Sequence, residues 1–166
     1  MNVARLGRMK VKTFFSIAAC AALTLTCGCG TPTEETREAA AVREFHQQLG
    51  AGRTDQIYAS SSDFLRGQFS QEQFHRSLLG TRIMGRLEAS ERAHYTRTKA
   101  EGGGDLVMAF YNTKYAKGAC LETFTWRVEA DGLKLAAYAC APNMRVTCGG
   151  GTACETSPVP VPGIAG

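Results

Sequence analysis

CLETFTWRVEADGLKLAAYAC, residues 120–140, decides the fold class. Phe124, Trp126 and Val128 alternate with Thr123, Thr125 and Arg127, the period of two that buries one face of a strand and wets the other. Asp131-Gly132 is a tight-turn dipeptide, and Leu133 and Leu135 begin a return strand. Read as a two-residue turn, Asp131-Gly132 sets Ala130 opposite Leu133. That register faces Cys140 to Thr123, puts Tyr138 opposite Thr125 on the wetter face, and points Cys120 to the other side of the sheet. A three-residue turn returns both cysteines to one face but leaves them about four residues out of register, roughly 13 Å along the strand. A disulfide needs Cα atoms within about 7 Å. A Cys120–Cys140 bridge therefore requires one strand end to bulge or curl.

Upstream, LVMAFYNTKY (106–115) has the β-branched and aromatic content of a strand, Lys117-Gly118 is a turn, and residues 91–99 alternate loosely behind the Gly102–Gly104 turn. Before Leu87 the texture is helical. Thr31-Pro32-Thr33-Glu34 is a helix start with Thr31 as the capping hydroxyl, and the helix runs to Leu49, with Gly50 as its left-handed cap. Ala41, Val42, Phe45 and Leu49 share one face; Thr36, Arg43 and Gln47 share the other. A broken helical stretch follows, in which Phe64, Leu65 and Phe69 are anchors and Asp63 reads as a cap. Ser70 and Gln73 form a capping box for a helix through Phe74, Leu78 and Ile83. Helices first and an antiparallel sheet afterwards is an α+β layout: N-terminal helices packed on a curved antiparallel sheet of about four strands.

The amino terminus reads as an address. Arg5, Arg8, Lys10 and Lys12 precede TFFSIAACAALTLT, an uncharged run too short to span a bilayer, which is the signal-peptide pattern. Met1 and Met9 are both candidate starts. Residues 1–28 are expected to be the leader, with Cys29 lipidated in preference to Cys27 or Cys20, and residues 29–35 a tether. Several acyl chains on one cysteine give firm attachment without a spanning helix. Gly30 after Cys29 favours the outer membrane, facing the periplasm.

Charge supports the same partition. Four of the 19 Lys and Arg residues precede Thr13 and all 15 acids lie at Glu34 or beyond, so the mature chain holds 15 of each sign. Its neutrality gives no footprint for nucleic acid. Cys120, Cys140, Cys148 and Cys154 form an even set, which in an exported domain reads as disulfides with three connectivities open. The preferred one is Cys120–Cys140 with Cys148–Cys154, because the others require the loose tail to fold back. The spacing lacks paired CxxC knuckles and no histidine lies nearby in sequence, so neither metal nor cofactor is expected. Residues 142–166 are Gly- and Pro-rich and read as a tail, with a small loop closed by Cys148 and Cys154.

REFHQQLGAGRTDQIYASSSDFLRGQFS, SQEQFHRSLLGTRIMGRLE and FTWRVEADGLKLAAYAC carry a resemblance to the nuclear transport factor two-like superfamily, the cystatin-like, cone-shaped α+β proteins, and within it to small bacterial lipoproteins. It covers residues 36–141. The first helix, the Gly52–Tyr58 segment, the serine-led helix and the acidic-glycine turn are the shared features. Leu133 or Leu135 stands where the family has a tryptophan.

The resemblance implies a cone in which enzymes of the superfamily place an acid, a histidine or a tyrosine. His46, His75 and His94 lie on two helices and a strand, and His46 and His75, beside Phe45 and Phe74, are expected to face solvent. No Ser-His-Asp set or phosphate-cradling loop is present in the sequence. Tyr95, Tyr111, Trp126 and Tyr138 are the candidate pocket lining, Tyr138 being the weakest. The expected function is that of a cell-envelope lipoprotein held to the membrane by its lipid, with a non-enzymatic domain that binds an envelope protein. A carrier of a small apolar ligand is the alternative, and an isomerase- or hydrolase-like enzyme the third reading.

Overall fold

Thr33, not Thr31, caps the first helix: its hydroxyl accepts from the Thr36 amide at 3.2 Å. In the computed structural model, which describes residues 33–101, 103–148 and 154–159, α1 spans Glu34–Gly50, so Glu34 and Glu35 belong to its first turn rather than to a tether. The left-handed position beyond the helix falls on Gly52, at φ 72°, not on Gly50. Three shorter helices follow: α2 (Thr54–Ser60), α3 (Asp63–Gln68) and α4 (Gln71–Ile83). Ser62, rather than Asp63, caps α3; its hydroxyl accepts from the Leu65 amide and donates to the Leu135 carbonyl, fastening the helix to the sheet. The Ser70–Gln73 capping box opens α4 with both of its hydrogen bonds made.

The strands β1 (Leu87–Lys99), β2 (Asp105–Tyr115), β3 (Gly118–Glu129) and β4 (Gly132–Pro142) form an antiparallel meander in sequence order. The helices pack on the face that carries Val107, Ala109 and Tyr111 of β2, Phe124 and Trp126 of β3, and Leu135 of β4. Val42, Phe45 and Leu49 of α1, Ile57, Leu65, Phe74 and Leu78 complete this core. Phe64 and Phe69, expected as anchors, are about half exposed, and Ile83 is 70% exposed; only Leu65 of the α3 set is buried.

The β3–β4 register departs from the expected one. Glu129 pairs with Gly132, so the loop is Ala130-Asp131, one residue earlier than the dipeptide suggests, and Gly132 takes the positive φ of 133° that its lack of a Cβ permits. A bulge follows: Trp126 pairs with Leu135 and Thr125 with Ala137, leaving Ala136 as the extra residue. Phe124 then faces Tyr138, Glu122 faces Cys140, and Cys120 faces Pro142. Tyr138 is thereby on the inner face. Cys120 and Cys140 become diagonal neighbours with Cα atoms 5.9 Å apart, within disulfide reach and without the expected four-residue offset.

The expectation of a loose tail after Pro142 also fails over the described residues. Asn143 adopts a left-handed φ of 58°, a conformation asparagine tolerates better than most residues. The chain turns there and returns as β5 (Met144–Cys148), paired with β6 (Cys154–Pro158). Both the amide and the carbonyl of Val146 bond the Asn112 side chain at 2.8 Å, so the hairpin lies over the outer face of the sheet. Cys148 and Cys154 pair across it with Cα atoms 4.1 Å apart, also compatible with a disulfide. The expected leader, with Cys20, Cys27 and Cys29, and residues 160–166 lie outside the described residues. Among the described residues no helix is long and apolar enough to cross a membrane.

Candidate functional site

Glu122 occupies the inward parity of β3 between Cys120 and Phe124, and its side chain is fully buried. A buried carboxylate is costly unless hydrogen-bonded. Here four donors meet it. Tyr138 and Tyr115 donate to Oε1 at 2.6 and 2.9 Å, and Thr113 donates to Oε2 at 2.5 Å. The fourth, Nε2 of His46 on α1, lies 2.8 Å from Oε2. Outside this ring, Thr81 of α4 lies 3.0 Å from the Tyr138 hydroxyl and Ser90 of β1 lies 3.3 Å from Thr113. One acid thus gathers α1, α4 and all four long strands.

Burial alone would raise the Glu122 pKa. The hydrogen bond and charge of His46, with Thr113 and Tyr138, outweigh it and hold the carboxyl below the usual range. Burial and the Glu122 charge push the phenols of Tyr115 and Tyr138 far up, so both stay protonated donors. An ionised carboxylate only accepts, so Nε2 of His46 carries hydrogen and Nδ1 is left for other work. Nδ1 makes no hydrogen bond among the described residues.

His46, expected at the surface, is only 8% exposed, and stands where two clefts adjoin. The larger, about 790 Å³, runs between α1 and β1, with Glu35, Arg43, Glu88, Ser90 and Arg92 among its walls. The smaller, about 410 Å³, opens between α1 and the end of α4, beside Arg82, Arg86 and Tyr115. Gln47 and Leu87 also border both.

Glu38, two turns before His46, is a second buried acid. Its Oε2 accepts from Tyr111 and Arg92 at 3.1 Å each, and its Oε1 has no partner among the described residues. Burial outweighs these bonds and raises its pKa, opposite to Glu122. Arg92 bonds the Glu35 carboxylate as well, and so ties β1 to the first turns of α1.

The four aromatic candidates do not line one pocket. Phe124 is the hub, with Tyr111, Trp126 and Tyr138 ring centroids at 5.8, 5.8 and 5.2 Å, and Phe45 at 5.1 Å. These rings pack against one another in the core. Tyr111 also borders the larger cleft, and Trp126 a shallow one of about 280 Å³ near Leu133. Tyr95 stands apart and donates to Glu34 at 2.6 Å, its phenol pushed up to about 12 by burial and by that carboxylate.

Glu38 and Glu122 are not singled out by sequence reasoning, and His46 is read there as a surface histidine, though each leaves a signal. Glu38 and His46 fall on the stripe of Val42, Phe45 and Leu49, and Glu122 shares its parity with Phe124 and Trp126. A charged residue on a buried period is the clue. Comparison with family models, with curated proteins and with solved structures gives no match.

Proposed function

We propose that this chain is an exported cell-envelope lipoprotein, held through acyl chains on Cys29 after loss of residues 1–28, on the outer membrane and facing the periplasm. Its domain binds rather than catalyses, and the site is the cleft between α1 and β1. The observation that carries this reading is the make-up of that cleft. Arg43, Arg92, Glu35 and Glu88 all line its space of about 790 Å³ together with His46, and Arg92 and Glu35 are bonded to each other there. Walls of both signs suit a polar segment of an envelope protein better than an apolar ligand or a nucleic acid. The apolar-carrier reading has less support, because aromatic rings occupy the interior.

Photo-crosslinkable residues at Arg43 and Gln47, both in the cleft, and at Lys114 on the outer face test the site in intact cells. One shared adduct from the first two positions, absent at Lys114, is expected. Equal labelling from all three, or no adduct, argues against it. Palmitate labelling of wild type, Cys29→Ser and Cys27→Ser tests the anchor: only Cys29→Ser loses the label.

A second reading, proton-transfer catalysis, is favoured by one observation: a carboxylate holds the imidazole of His46 and leaves Nδ1 for a substrate. Turnover of an ester or an enolisable carbonyl compound by wild type, lost in His46→Gln with the fold intact, would support it.

A further inference from the structure

On the opposite face of the sheet, the β5–β6 hairpin brings together residues that are far apart in sequence. His94 and Met108 point outward from β1 and β2, being on the parity of Phe110, and the Asn112 clamp lays the hairpin over them. Ligand atoms of His94, Cys148 and Cys154 all lie within 4.8 Å of one another. Donors bound at about 2.0–2.3 Å to one ion lie roughly 3.5–4 Å apart, so the histidine needs to approach by about 1 Å and the two sulfurs, bonded to each other in the disulfide, to separate on reduction. Met108 and Cys154 line the same hollow of about 440 Å³, with His94, Phe110 and Val146. The other pair, Cys120–Cys140, has a thioether beside it, Met84 Sδ at 3.9 Å from Cys140 Sγ, but no histidine is grouped with it among the described residues.

We propose that the Cys148–Cys154 pair, once reduced, forms with His94 a binding site for a monovalent soft cation, copper(I), with the Met108 thioether as a further donor. Two thiolates, an imidazole and a thioether are soft ligands that select copper(I), and a thioether adds little for zinc. The disulfide gates the site. A dithiol reductant breaks the Cys148–Cys154 bond, passes two electrons and two protons to the sulfurs, and leaves as its own disulfide. Copper(I) then displaces the thiol protons to solvent. The oxidised form has no thiolate to offer and does not bind the ion. This site is separate from the cleft beside α1 and does not depend on its role.

The test uses the full chain in detergent, reduced with a phosphine and titrated with copper(I) against a chromophoric chelator. Reduced wild type is expected to bind one copper(I) more than reduced Cys148→Ser/Cys154→Ser, which keeps the other cysteine pair. His94→Ala is expected to weaken that equivalent at least tenfold, and Met108→Leu severalfold while leaving zinc binding unchanged. X-ray absorption should report both sulfur and nitrogen donors. Circular dichroism of each variant checks the fold, and His94→Gln stands in should the alanine variant fail to fold. Equal copper uptake by wild type and the double serine variant, or unchanged affinity in the His94 variants, overturns the proposal. So does equal binding by the oxidised chain.

Discussion

Nε2 of His46 lies 2.8 Å from Oε2 of Glu122, across 76 residues of chain, and this one contact ties the C-terminal part of α1 to β3. Glu122 is fully buried, and His46, only 8% exposed, stands between it and the two clefts. His46→Ala is expected to destabilise the fold by about 3–5 kcal/mol, from taking a donor away from the buried Glu122 carboxylate and from the cavity left by the ring. Tyr138→Phe removes one of four donors and should cost about 1–3 kcal/mol. Chemical denaturation of the two variants beside wild type checks the order.

The two buried acids act oppositely with pH. Glu122 has a depressed folded pKa, so its contribution is full above the ordinary carboxylate value of about 4.3 and fades as pH falls through the folded value. Glu38 has a raised one, so its contribution is full below about 4.3 and is lost as pH rises through its folded value. Stability profiles of Glu122→Gln should lack part of the wild-type acid limb. Those of Glu38→Gln should lack a decline that wild type shows between acid and neutral pH.

Tyrosine ionisation separates the exposed edge from the core. Tyr95 should titrate near 12. Tyr111, Tyr115 and Tyr138, pushed further by burial and by Glu38 or Glu122, should ionise only as the protein unfolds. Ultraviolet difference titration of wild type and Tyr95→Phe assigns the Tyr95 step.

The two cysteine pairs differ in the loop each closes. With both bonds formed, loss of Cys120–Cys140, 20 residues apart, should cost about 3 kcal/mol, and loss of Cys148–Cys154, six apart, about 2 kcal/mol on the loop-entropy model. Mass mapping under non-reducing digestion reads the connectivity, and melting of the paired alanine variants reads the costs.

Asn112 carries the outer hairpin with two hydrogen bonds to one residue. Asn112→Ala should speed amide exchange over Met144–Cys148 while leaving β1–β4 protected. Uniform protection in the variant would show that other contacts hold β5.

Local chemistry was legible wherever it sufficed. The alternation in β2 and β3, the Ser70–Gln73 box and the order of helices before strands follow from neighbours a few residues apart, and they determine an α+β chain with its sheet at the C-terminal side. The register of β4 was not legible, because it turns on a loop placed one residue earlier and on Ala136 bulging out, a choice made by packing rather than by any dipeptide. That choice moved Tyr138 from the wet face to the Glu122 ring and brought Cys140 to Cys120.

The sequence by itself determined the order of helices before the four-stranded meander and the buried side of α1 and β3, since periodicity is written locally, but left β5, β6 and the buried side of β4 open. Only the tertiary structure decided what meets inside and across the sheet: His46 with Glu122, Arg92 with Glu38, and His94 with the Cys148–Cys154 hairpin. Each of these meetings joins residues dozens of positions apart. For Glu122, Glu38 and His46 the partner is chosen by burial, which leaves a carboxylate or an imidazole little solvent to turn to and makes the nearest complementary group, however distant in the chain, its relief, whereas His94 meets the hairpin because Asn112 holds β5 over the outer face of the sheet.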